Sequence, residues 1–166
     1  MSIAPRTTEY FMKNDQVVGI FRNLANLLEM RGENSFRIRA YRRAAEVIEG
    51  LSEELETIAC RGGLKQLTGI GKDLAGKVQE ILKTGTLTLY EEIKKQTPPA
   101  LLGFLSLPGL QPQMARYLFE QLGIRELEDL EKMVRTHMLR TVPGITKEVE
   151  DEILQRIQTL RERSIP

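Results

Sequence analysis

Three six-residue segments of the chain align without gaps: Leu67-Thr68-Gly69-Ile70-Gly71-Lys72, Leu107-Pro108-Gly109-Leu110-Gln111-Pro112 and Val142-Pro143-Gly144-Ile145-Thr146-Lys147. With the glycine at 69, 109 or 144 as origin, the fifth following residue is Leu74, Met114 or Val149. The ninth is Val78, Leu118 or Ile153, and the thirteenth is Leu82, Leu122 or Ile157. Steps of four along an apolar series predict one stripe of a helix that starts just after the glycine. Short apolar segments precede each turn, at Leu64, Leu101 to Leu105 and Met133 to Leu139. Short helix, tight glycine turn, longer helix, three times over, commits most of the chain to helices.

The remaining segments agree. Val17, Val18, Phe21, Leu24, Leu27 and Leu28 recur at spacings of three and four, with Asn14 or Asp15 placed to cap the start and Gly32 at the stop. A second helix is expected from about Asn34 to Glu49, with Ile38, Tyr41, Ala45 and Ile48 on one face and Gly50 after it, and a short third after Ser52 that buries Leu55 and Ile58. No run alternates apolar and polar residues as a half-buried strand requires. Thr97-Pro98-Pro99 ends a helix and stiffens a connector. The expectation is an all-α fold of two small helical subdomains with three helix-hairpin-helix motifs. A flexible terminus would cover 1–13, a first domain with one motif 14–97, and a second with two motifs 98–166.

Such a turn carries chemistry in its backbone. Glycine lets the chain reverse sharply, because it lacks Cβ and tolerates positive φ. The turn then delivers free N–H groups at the positive end of a helix dipole, a ready site for a phosphate. Backbone donors read no base identity, so contacts of this kind are independent of sequence. The alternative is an αα-hairpin used only for packing. Only the first copy has Gly-x-Gly, at Gly69 and Gly71, followed at once by Lys72. Gln111 and Thr146 replace the second glycine, where a β-carbon hinders close approach. Lys147 is followed by Glu148, Glu150, Asp151 and Glu152, so the third copy is the weakest candidate and a packing partner for the second.

The formal net charge is +1, which says little until it is mapped. Arg31 to Arg43 holds five arginines against Glu33, a local +4. Arg61 to Lys83 holds five basic residues against Asp73 and Glu80, a local +3. A neutral total therefore hides basic segments around the first hairpin, and phosphate binding depends on the local field. With 41% hydrophobic and 28% charged residues, the composition excludes a disordered or collagen-like chain. The single Cys60 makes no internal disulfide and, with only His137 to help, no zinc site. Cys60 is expected to be a small buried apolar residue, and His137 a surface residue near a helix end. No membrane span or secretory leader is read, and a cytoplasmic setting is the default.

Asn34-Ser35-Phe36-Arg37-Ile38-Arg39-Ala40-Tyr41-Arg42-Arg43-Ala44-Ala45 resembles the second helix of the amino-terminal lyase domain of family X DNA polymerases. Leu67 through Leu82, ending in Thr84-Gly85-Thr86-Leu87, resembles the hairpin of that domain, and Pro99 to about Ile157 the subdomain that follows. The likeness is strongest to bacterial members. It implies a domain that binds the 5′-phosphate side of a DNA gap. It also implies that Lys77 corresponds to a Schiff-base lysine that removes 5′-deoxyribose phosphate, with Tyr41 and Arg37 at family positions in the basic helix. A family phosphate-contacting lysine is replaced by Asp73, which reverses the charge, and another falls on Leu89. Hairpins of the family hold a monovalent cation, K⁺ or Na⁺, on turn carbonyls. Resemblance places these at Lys65, Leu67 and Ile70. No aspartate cluster of a polymerase palm follows, so this chain by itself is not expected to polymerise nucleotides.

Three functions follow. The first is sequence-independent DNA binding at gaps, nicks or ends in a repair setting, through Arg37, Arg39, Tyr41, Gly69, Gly71 and Lys72, with Gly109, Gln111 and Gly144 in the later copies. The second is deoxyribose-phosphate or abasic-site lyase activity through Lys77, which needs no metal because an iminium acidifies the C2′ proton. The third is a scaffold for a polymerase or nuclease partner, compatible with the net −1 from Pro98 onward, nine basic residues against ten acidic.

Overall fold

The computed structural model describes residues 8–164. The described residues are helical, with no strand among them, and the chain divides into two compact units, Met1–Lys95 and Gln96–Pro166. Residues 1–7 of the segment read as a flexible terminus lie outside the described residues. The rest of that segment belongs to the first helix.

In the first unit α1 (Thr8–Met30) lies along α2 (Ser35–Glu49). Val17, Phe21, Leu24 and Leu28 form the buried stripe of α1. Gly32, at φ 71, ends the helix, and the amide of Glu33 returns to the Leu28 carbonyl at 3.0 Å. Asn14 does not cap α1. It is 7% exposed inside the helix, accepts from the Leu55 amide at 2.9 Å and donates to the Glu53 carbonyl at 3.0 Å. It thereby fastens the start of α3 (Leu55–Cys60), which buries Leu55 and Ile58. The periodicity of α1 continues upstream of Asn14, so a residue with cap chemistry was free to act across space. Cys60 stands exposed at the end of α3 rather than buried. A 3-10 turn (Leu64–Gln66) leads into the first hairpin, followed by α4 (Lys72–Thr84) and α5 (Thr88–Gln96). α4 buries Leu74, Ala75, Val78 and Ile81, and ends at Gly85 in the left-handed conformation.

In the second unit α6 (Pro99–Leu105), α7 (Pro112–Glu120), α8 (Leu127–Arg135), a 3-10 turn (Leu139–Thr141) and α9 (Lys147–Arg163) close over Phe104, Leu118, Leu130, Leu139, Ile153 and Ile157. The apolar stripe fails at one place. α7 stops at Glu120, so Leu122 falls beyond it and is 41% exposed, whereas Ile157 on the longer α9 is fully buried. The carboxylate of Glu131, 4% exposed, is held between the guanidinium groups of Arg135 and Arg161 at 2.8 and 2.6 Å. His137 follows α8 with φ 59 and its side chain at the surface. Among the described residues no helix is long and apolar enough to cross a membrane.

Candidate functional site

The three turns share one backbone geometry. Gly69, Gly109 and Gly144 have φ of 88, 72 and 90. The amides of Ile70, Leu110 and Ile145 each return to the carbonyl three residues earlier, at 3.0, 3.4 and 3.1 Å. Positive φ at the third residue of such a turn selects glycine. The helix then opens on an extended residue, Gly71, Gln111 or Thr146, whose carbonyl accepts the first intrahelical bond, from Ala75, Ala115 or Glu150. The following amides have no partner inside the helix.

The turns differ in what becomes of those amides. At the first, no acceptor among the described residues meets the N–H groups of Gly71, Lys72, Asp73 and Leu74. At the second, Pro112 removes one donor and Gln111 makes no capping bond. At the third, Thr146 Oγ1 accepts from the Val149 amide at 3.3 Å. The Glu148 carboxyl, held below the usual carboxylate range by its own amide and the Thr146 hydroxyl, also sits over that helix start. The third turn is closed by its own side chains, the second is partly open, and the first is open.

Gly109 and Gly144 also have a packing reason. A β-carbon at Gly109 would lie 2.9 Å from Val149 Cγ1, and one at Gly144 would run into Met114. Met114 and Val149 hold the same place in their copies, five residues after the glycine. Each turn of the second unit therefore rests on the helix that follows the other, a reciprocal arrangement. Gly69 meets no such partner. Its Cβ position lies 3.1 Å from Arg43 Nε, so the stem of Arg43 covers it and joins α2 to the first turn. Gly71 has φ −87 and nothing within 4 Å of its Cβ position. Neither backbone strain nor crowding within the chain requires a glycine there.

Arg43 belongs to the basic run, and the stripe Phe36, Arg39, Arg43 at steps of three and four marks one helix face. Arg39 Cζ stands 4.7 Å from the centroid of the Phe36 ring, which is 75% exposed. Arg37 is exposed at the start of α2, about 120° round the helix from Arg43. Arg31 and Arg42 are spent on Glu33 and Glu29. Tyr41 requires correction. Expected on the contact surface, it is 2% exposed and packs its ring 5.6 Å from that of Phe21, because position 41 shares the buried face of α2 with Ile38, Ala45 and Ile48.

Lys72 is exposed at the first position of α4. Lys77 lies on α4 with its amine already engaged. Its side chain is 19% exposed, and Nζ donates to Asp73 Oδ2 at 2.6 Å, one turn earlier on the same helix. The Leu67 carbonyl, proposed as one cation ligand with those of Lys65 and Ile70, already accepts the Ile70 amide. A carbonyl oxygen has a second lone pair, so this bond is compatible with a cation.

Comparison with known proteins places these observations. Residues 12–87 match the helix-hairpin-helix domain family, and residues 101–159 the SAM-like helix-hairpin-helix tandem. The chain is 26% identical over 146 residues to the DNA polymerase/3'-5' exonuclease PolX of Bacillus subtilis, an alignment covering 88% of this chain and 25% of the relative. It is 34% identical over 118 residues to DNA polymerase lambda of Arabidopsis thaliana, covering 70% of this chain and 21% of that protein. The chain thus spans about a quarter or less of the length of these relatives. An open first turn beside an arginine stripe and a reciprocal pair of turns downstream belong to a chain with two helix-hairpin-helix domains, homologous to the amino-terminal region of family X DNA polymerases.

Proposed function

We propose that the protein binds DNA through its sugar-phosphate backbone, without regard to sequence, at gaps, nicks or ends met in repair. The observation that carries this reading is the first turn: unmet amides at Gly71, Lys72, Asp73 and Leu74, with Arg43 laid against Gly69. A phosphate seated there gains backbone donors, the helix dipole and two cations, Lys72 and Arg43. Gly71 fits the same reading, since the ligand supplies the reason for an absent side chain that the chain itself does not. The exposed Phe36 ring on the arginine stripe favours interrupted duplexes, because an unpaired base offers a face to stack.

About four to six phosphate contacts give a slope of log affinity against log salt of roughly −4 to −5. Fluorescence anisotropy with gapped, nicked and intact duplexes across a salt series measures it. A slope near zero, or no binding to gapped DNA in dilute salt, rules the reading out.

Binding is favoured over lyase chemistry by the state of Lys77. A Schiff-base nucleophile must present a free neutral amine, and this one is engaged by Asp73. Borohydride treatment on incised abasic DNA is expected to trap no adduct through Lys77. An adduct abolished by Lys77→Ala restores the lyase reading.

A further inference from the structure

The second unit holds a cleft that phosphate binding leaves unused. Its volume is about 340 Å³, and Gln113, Met114, Tyr117, Val142 and Pro143 line it. One wall is α7, where Gln113 and Tyr117 stand one turn apart on a single face, with Met114 between them in sequence. The other wall is Val142 and Pro143, the arm of the third turn. The reciprocal seating keeps the walls together. A β-carbon at Gly144 would run into Met114, so only a glycine lets the third turn sit this close to α7.

The lining selects among ligands. None of the five residues is charged, so nothing in the cleft itself matches a phosphate. What it offers is mostly apolar: the Tyr117 ring, 43% exposed, the exposed Pro143 ring, and the Met114 thioether, a group that packs well against aromatic rings. Two polar groups accompany them. Neither the Gln113 amide nor the Tyr117 hydroxyl hydrogen-bonds another described residue. An amide carries a donor and an acceptor side by side, the pattern that pairs with the N6 and N7 edge of adenine. A volume near the small end of ligand sites takes one ring system and not a folded segment. Uncharged stacking surfaces with a sparse polar edge are how proteins hold bases that have left a duplex. Gln113 is the second residue of α7, two after Gln111 at the second turn, so a strand passing that turn runs beside the cleft.

Resting on the DNA-binding reading for the source of its ligand, we propose that this cleft receives one unpaired base of a gapped strand, adenine foremost. Tyr117 is the stacking platform and Gln113 reads the base edge. The second unit then contributes a modest base preference, laid over phosphate contacts that carry none.

The test uses the full chain in dilute salt and gapped duplexes whose single-stranded stretch carries adenines, thymines or abasic spacers on the same backbone. Anisotropy on the wild-type protein should show the adenine gap bound at least about fivefold more tightly than the abasic one. Tyr117→Ala should weaken the adenine gap by about fivefold and leave the abasic gap and intact duplex within about twofold, since their phosphates are the same. Gln113→Leu should cost about fivefold on adenine and less than about twofold on thymine. In parallel, the Met114 methyl resonance should shift on titration with free adenosine and not with inorganic phosphate. Equal wild-type binding of adenine and abasic gaps overturns the proposal, as does an adenine preference untouched by Tyr117→Ala, which places the base elsewhere. A Met114 methyl that adenosine leaves unmoved also overturns it and returns the cleft to a protein segment. If no duplex binds, the DNA-binding reading falls by itself, and the adenosine titration alone decides the cleft. Both substituted side chains are exposed, so each variant should keep the wild-type thermal melt, checked before binding is compared.

Discussion

At the scale of single residues, two glycines two positions apart do different work. Gly69 is fixed by its own backbone, at φ 88 with Arg43 against the Cβ position. Gly71 has ordinary angles and open surroundings. Gly69→Ala should therefore destabilise the first unit by about 1–2 kcal/mol, whereas Gly71→Ala should leave stability within about 0.5 kcal/mol. The binding effects should invert this order per unit of stability lost. Gly71→Ala places a methyl beside the open amides and should weaken DNA binding several-fold in a fully folded protein. Urea melts and anisotropy on the same two variants check both halves. Tyr41 shows the limit of reading residues singly. Family resemblance points to Tyr41 as a contact, its helix face shared with Ile38, Ala45 and Ile48 points to the core, and the face prevails.

The hairpins are the elements of this molecule, and they were plain in the sequence because glycine placement and apolar steps repeat. Their differences in availability were less plain. The third turn has the same shape as the first, yet Thr146 and Glu148 take up its helix start. Lys72 and Lys147 hold equivalent places after their glycines. Lys72→Ala should lower affinity and reduce the magnitude of the salt slope by about 1, whereas Lys147→Ala should change neither. Equal effects from both would mean that the third turn is open in solution. The stripe predicted for the helices after the turns held in α4 and α9 but ran past the end of α7 at Leu122, where the chain turns at Gln121. The reciprocal seating of Gly109 on Val149 and Gly144 on Met114 left no pairwise signature, since either contact alone reads as ordinary core. The ion pair of Lys77 is hard to see in the sequence for a similar reason. Its i−4 neighbour was noted for reversing a family charge and not as the partner of its ammonium.

At the scale of the whole molecule, acid should act unevenly. Glu150 is 1% exposed and gathers the Arg140 amide at 2.8 Å, the Arg140 guanidinium at 2.6 Å and His137 Nδ1 at 3.0 Å. Burial pushes its carboxyl up, but the bonds from Arg140 and His137 outweigh it and hold the group below its ordinary value of 4.5. The stabilisation is therefore complete above that value and lost as pH falls through the lower folded value. The Arg140 amide resonance should stay in its folded position down to about pH 4.5 and collapse below it, with Glu150→Gln abolishing that dependence in the same window. An unchanged acid profile in Glu150→Gln would assign the loss to other carboxylates. The use of His137 and Arg140 to tie the second unit together was invisible without the left-handed turn that presents them.

The interlocked glycines of the second unit also bear on how such a chain can be shortened or rearranged. Each turn closes against the methyl-bearing side chain of the opposite copy, so deleting one copy strands the other with an uncovered seam. The pair is heritable only together: a gene retaining half of it would encode a turn with nothing to shut upon.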